Sequence, residues 1–119
     1  MPQNAETGRQ GLVNGYGNAD QIGKLLGAVR VANNRNDFLW KDRIVVIKTG
    51  PSAVVTRATL ARVSAVVYGE ETANGWLLYE IDPATFEALA VTSQSSGHNE
   101  NYRLVRRSQI RNQGQVIRI

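Results

Sequence analysis

Apolar positions change period along this chain, and each change marks an element. Ile22, Leu25, Leu26 and Val29 fall at i, i+3, i+4 and i+7, the spacing that lines one face of an α-helix. The pattern predicts a helix of about three turns, with Asn18 as its N-cap and Gln21 bonding back three residues later. Its other face turns Asp20, Lys24 and Gln21 to water or to a ligand. Asn33-Asn34 then starts a loop.

A different pattern follows. Residues 37–40 form a short apolar run opened by Asp37, Lys41-Asp42 is a polar turn, and Ile44-Val45-Val46-Ile47 is a continuous β-branched run that ends on Lys48. This reads as two strands, 37–40 and 43–49, joined so tightly that they must pair antiparallel. Four apolar residues in succession predict a strand covered on both faces. Ile44, Val46 and Lys48 share one side of it, with Asp37 arriving beside the Lys48 end. Gly50-Pro51-Ser52 closes the strand. Residues 54–64 read as a short helix capped by Thr56, with Leu60 and Val63 inward, although their β-branched content suits a strand equally. Residues 65–68 and 75–81 read as strands around a turn at Asn74-Gly75. Asp82-Pro83 is an N-cap acid followed by proline at the first helical position, opening a helix to about residue 91 that buries Phe86 and Leu89. A polar loop spans 92–101, and 102–105 with 116–119 supply closing strands, or a strand and a turn.

Helices and strands in this order predict an α+β or α/β fold with a mixed central β-sheet, a leading amphipathic helix and a second helix packed on it. Residues 1–16, rich in Gly, Asn and Gln without apolar periodicity, read as a flexible N-terminal arm, and 17–119 as a single domain. At 119 residues the chain can close one apolar core without staples.

Charge narrows the choice of partner. The net charge is +4 and unevenly placed. Residues 63–102 carry Glu70, Glu71, Glu80, Asp82, Glu87 and Glu100 with no Lys or Arg, whereas the tail carries Arg103, Arg106, Arg107, Arg111 and Arg118 with no acid. Such blocks can fold into one basic and one acidic face, and a basic face favours phosphate-rich partners. Arginine forks match phosphate oxygens two at a time, which makes Arg35, Arg43, Arg103, Arg106, Arg107 and Arg111 the candidate nucleic-acid contacts. The absence of cysteine removes disulfides and thiolate zinc sites and fits a reducing cytoplasm. No apolar run reaches the length of a membrane span, so a soluble cytoplasmic location is expected. The chain has neither a P-loop nor a dinucleotide fingerprint. His98 sits in a polar loop without partners, and Trp40 and Trp76 read first as core or oligomer contacts.

The segment 17–80 resembles the restriction-endonuclease-like, or PD-(D/E)xK, phosphodiesterase superfamily. Gly17 and Ala19 mark the leading helix, Asp37 holds the place of the first acid, and Ile47-Lys48-Thr49 matches the end of the second motif. The resemblance implies Asp37, Lys48 and Gln21 as the catalytic set, with Asp37 holding Mg²⁺ and Lys48 polarising a water. Val46 stands where the family carries a second acid, and Gln21 where its helix carries one. The scaffold is therefore expected to bind nucleic acid with degenerate catalysis, or else to recruit Gln21, Asp20 or Glu80 as a replacement ligand. The alternative is a non-enzymatic oligomerising or protein-interaction module, whose basic tail docks on the acidic middle segment of a neighbouring copy.

Overall fold

A computed structural model of the chain describes residues 17–31, 36–92 and 102–118. The expected arm at 1–16, the Asn33-Asn34 loop, Arg35, and most of the 92–101 loop with His98 lie outside the described residues. In chain order the elements are α1 (17–26), β1 (Val29–Arg30), β2 (Asp37–Trp40), β3 (Arg43–Thr49), β4 (Ser52–Thr56), α2 (Arg57–Arg62), β5 (Ala65–Thr72), β6 (Gly75–Ile81), α3 (Pro83–Leu89), β7 (Val91–Thr92), β8 (Tyr102–Arg106), α4 (Arg107–Gln113) and β9 (Gln115–Val116).

The expected mixed sheet is present, in the order β1-β2-β3-β5-β6-β9. Its neighbours are antiparallel except β3 and β5, which run parallel from Val45 opposite Ala65 to Thr49 opposite Gly69. Parallel strands need a crossover, and the crossover here is β4 followed by α2. The strand β4 does not join the first sheet. It pairs with β8, which pairs with β7, in a second antiparallel sheet. The fold is α+β.

Side-chain alternation on the central strands sorts the core into two layers. On one side, Val45, Ile47, Val67 and Leu78 pack with Ala19 and Ile22 of α1 and with Phe38 and Trp40. On the other, Val46, Val66, Tyr68, Tyr79 and Ile81 pack against Ala53, Val55 and Val105 of the second sheet and against Leu60, Phe86 and Ile110, one from each of α2, α3 and α4. Each large side chain buried in this way contributes about 1.5–3 kcal/mol relative to exposure.

Several sequence expectations change in the folded chain. The helical spacing carries Val29 onto the α1 face, but Gly27 at φ 73° ends the helix in the left-handed conformation that glycine adopts without strain, and Val29 pairs with Leu39 in β1, exposed. Asn18, expected as the N-cap, lies within the helical run. The ambiguous stretch 54–64 divides: Val54 and Val55 pair with β8, and Thr56 caps α2 by accepting from the Thr59 backbone. The strand expected at 65–68 extends to Thr72. Between the strands expected at 102–105 and 116–119 the chain forms α4, to which the sequence pattern assigned no element: its one buried residue is Ile110, too little to mark a periodic apolar face. Asp82 caps α3 as expected, accepting from Ala84 and Thr85 with Pro83 at the first turn.

Two glycines let α1 sit down on the sheet. A Cβ on Gly23 would lie 2.6 Å from the Phe38 ring, and one on Gly69 would lie 2.4 Å from Cδ1 of Ile22. Substituting Gly23 by Ala is expected to destabilise the fold by about 1–3 kcal/mol of overpacking, outweighing the roughly 1 kcal/mol that alanine gains in helix propensity. Gly17→Ala, with nothing within 4 Å of the new methyl, should be neutral or stabilising. Urea denaturation of the two variants checks the contrast.

Candidate functional site

Asp37 opens β2 directly opposite Val46, so its side chain lies on the same side of the sheet as Ile44, Val46 and Lys48, the side that carries the second sheet. Asp37 is 2 % exposed. Arg62, the last residue of α2, reaches it with two charge-assisted bonds, Nε at 3.0 Å and Nη2 at 2.8 Å from Oδ2. Lys48 sits two residues further along β3, opposite Tyr68 of β5, and makes no hydrogen bond or ion pair among the described residues. Burial pushes its ammonium below the ordinary lysine range, partly opposed by the field of Asp37. The acid and the lysine thus share a face and sense each other. The carboxylate is not open to solvent: it is buried, and the guanidinium of Arg62 lies against it.

Gln21 does not join them. It projects from α1 on the opposite side of the sheet, where its Oε1 accepts from Nε1 of Trp76 at 3.1 Å. The other replacement ligands lie apart from Asp37 as well. Asp20 accepts from Arg30 at 2.7 Å, and Glu80 is ion-paired with Arg43 at 2.8 Å. Among the described residues no three Asp, Glu, His or Cys side chains converge as a metal-ligand set. The sheet itself separates Gln21 from Asp37 and Lys48. Nothing in the local sequence identifies Arg62 as the partner of Asp37, since the pairing spans twenty-five positions.

The candidate nucleic-acid contacts are equally informative. Arg103 donates to Glu87 at 2.8 Å. Arg111 engages Glu70 through both Nε, at 3.0 Å, and Nη2, and the hydrogen bond from Arg111 holds the Glu70 carboxyl below the usual glutamate range. Arg107 donates to the Tyr68 hydroxyl at 3.1 Å and lies 3.9 Å from Glu70, while the Tyr68 hydroxyl itself donates to the Gly50 carbonyl. Arg43 sits 5.1 Å from the centroid of Trp40. Arg106 is exposed at the start of α4 and makes no ion pair among the described residues. Separate basic and acidic faces therefore do not form from these blocks: tail arginines close onto the acids of the middle segment within the same chain.

Where the parallel strands β3 and β5 end, Thr49, Gly50, Tyr68, Glu71, Trp76 and Arg107 border a small polar cleft of about 130 Å³. Clefts at the carboxyl ends of parallel strands are common ligand positions, but here Arg107 is spent on Tyr68 and Glu70. No helix among the described residues is long and apolar enough to cross a membrane. No family model matches the chain, and neither the curated proteins nor the solved structures contain a significant match to it.

Two measurements test the electrostatics of the acid–lysine–arginine cluster. Arg62→Ala withdraws both charge-assisted bonds from a carboxylate that stays buried, and a loss of about 1–3 kcal/mol is expected in urea denaturation. For Lys48, the folded state disfavours the protonated form, so the unfolded chain binds more protons between the lowered folded value and the ordinary lysine value. Stability of the wild type therefore rises with pH through that window. Lys48→Met should be more stable than wild type at pH 7, with the advantage shrinking as pH climbs toward 10; an advantage that stays constant with pH contradicts the burial cost assigned to Lys48.

Proposed function

We propose that this chain is a nucleic-acid-binding domain that grips phosphates without cutting them. The observation that carries the reading is how the charges are used. Arginines engage Asp20, Asp37, Glu70, Glu80 and Glu87 internally, and Asp82 is spent on capping α3. Lys41, Arg57, Arg106 and Arg118 are exposed and make no ion pair among the described residues. Lys24 is exposed and makes no ion pair among them either, against two exposed acids, Asp42 and Glu71, that make no ion pair among the described residues. The charge left for an outside partner is therefore positive on balance, and a phosphate backbone is the partner that releases counterions when such cations meet it. Asp37 and Lys48 lie on one face of the sheet. With Arg62 on the carboxylate and no second acid alongside among the described residues, they support a structural role in preference to metal-assisted hydrolysis.

The oligomerising alternative draws less support. A neighbour's tail would have to displace Arg103 from Glu87 and Arg111 from Glu70, exchanging one set of ion pairs for another at no clear gain.

A mobility-shift titration with single-stranded and duplex probes tests the proposal. Retardation is expected at low salt. Four phosphate contacts on a single strand weaken affinity on the order of 50-fold between 50 and 200 mM salt. Failure to bind at low salt rejects the proposal. Incubation with plasmid and Mg²⁺ or Mn²⁺ should leave the DNA intact, and cleavage that disappears in Asp37→Ala would reassign the chain as a nuclease.

A further inference from the structure

At the end of the first sheet where β3 begins, the β2–β3 turn and the chain following β9 border a pocket of about 300 Å³. It lies away from the acid–lysine cluster, on the side of the sheet that carries α1. Trp40, Lys41, Glu80, Gln115, Ile117 and Arg118 line it. The volume is at the lower end of the range of small-ligand sites, about 300–1,000 Å³.

Two features of this pocket go together. The first is its charge. Lys41 and Arg118 approach from separate segments of the chain, and neither makes an ion pair among the described residues. Glu80 is the acid in the lining, and Arg43 neutralises it at 2.8 Å. The second feature is the backbone under Lys41. Both turn residues are left-handed, Lys41 at φ 53° and Asp42 at φ 63°. Hairpin turns with two such residues favour Asn, Asp and Gly, and a lysine in the first place is a costly choice. The turn brings the Lys41 ammonium to 4.7 Å from the centroid of Trp40, at the pocket wall. A residue kept in an unfavourable conformation, with its charge held at a concave surface, points to a use for that charge. Trp40 itself is 6 % exposed, so its ring serves as floor and leaves no open face on which a base could stack.

We infer that this pocket seats one phosphodiester of a nucleic-acid strand, with Lys41 and Arg118 donating to its non-bridging oxygens. The inference rests on the nucleic-acid reading above and assigns its strongest contact to one place on the surface. Arginine offers a fork and lysine a point charge to the same anion. The bases are left outside, which predicts little sequence preference.

The test is fluorescence anisotropy with a labelled oligothymidine probe at low salt, comparing wild type with Lys41→Asn, Arg118→Gln and Lys24→Gln. Asparagine suits the left-handed turn, so Lys41→Asn should keep or raise the urea midpoint while weakening binding about tenfold. Arg118→Gln should weaken it by a similar factor. Each of the two should lower the slope of log affinity against log salt by about one. Lys24→Gln removes the same charge from the exposed side of α1 and should cost less than about twofold. Equal losses for all three variants would mean diffuse attraction, overturning the pocket while leaving the nucleic-acid reading in place. A wild type that ignores the probe would overturn both. Displacement of the probe by micromolar thymidine monophosphate or inorganic phosphate would identify the ligand as a free phosphate and overturn the assignment to a strand.

Discussion

The parallel register of β3 against β5 is the constraint on which the architecture depends. Adjacent parallel strands cannot be joined by a tight turn, so the chain must leave the sheet after Gly50 and return at Ala65. It uses the excursion to build β4 and α2 over one face, and β4 in turn provides the strand on which β8 and then β7 assemble. The opposite face of the same two strands is left for α1. Because Val45, Val46, Ile47, Val66 and Val67 are all buried, both coverings are required. Each is specific: α1 fits through the absence of side chains at Gly23 and Gly69, and the second sheet through Ala53, Val55 and Val105.

That two-sided burial also decides the electrostatics. A carboxylate on a strand beneath a packed layer cannot remain unpaired at reasonable cost, and α2 ends in the right place to deliver Arg62 to Asp37. Lys48 on the same side lies further along the sheet, near enough to feel the acid and buried enough to be disfavoured as a cation. An arrangement that would cradle a metal in an open cleft becomes a clasp between a strand and a helix once the cleft is covered. The same layering places Gln21 on the far side, hydrogen-bonded to Trp76.

Charge that is segregated in the sequence is interleaved in space. The tail folds back along β4 and over the end of β5, so Arg103 and Arg111 meet Glu87 and Glu70, residues that precede them in the acidic block. These surface pairs add little stability individually, but with the other internal pairs they use up most of the negative charge, leaving Asp42 and Glu71 exposed beside a larger number of cations at the turns and helix starts. The Lys41–Asp42 turn and the C-terminal segment are where those cations flank a concavity.

Much of the fold was legible in local pattern. The α1 helix, the 37–49 hairpin, the hairpin near Asn74-Gly75 and the Asp82-Pro83 start are signals carried by neighbouring residues, and each appears in the folded chain. The packed face of α1 takes Ile22 and Leu26 but not Leu25 or Val29, and the turn residues of the second hairpin are Ala73 and Asn74. The candidate site was legible only as far as one strand pair can take it: alternation and register put Asp37 and Lys48 on a common face, and that much needs no third element. Arg62, the second sheet, α4 and the cis pairing of the tail are set by contacts between residues far apart in sequence, for which the chain carries no short-range mark. Local sequence determined most of the helix and strand segments and which side the residues of the 37–49 hairpin face, because those follow from backbone geometry and periodicity. What covers each side, and hence whether a charged group is an open site or a sealed pair, was decided by tertiary packing, since desolvation depends on the layer that arrives from elsewhere in the chain.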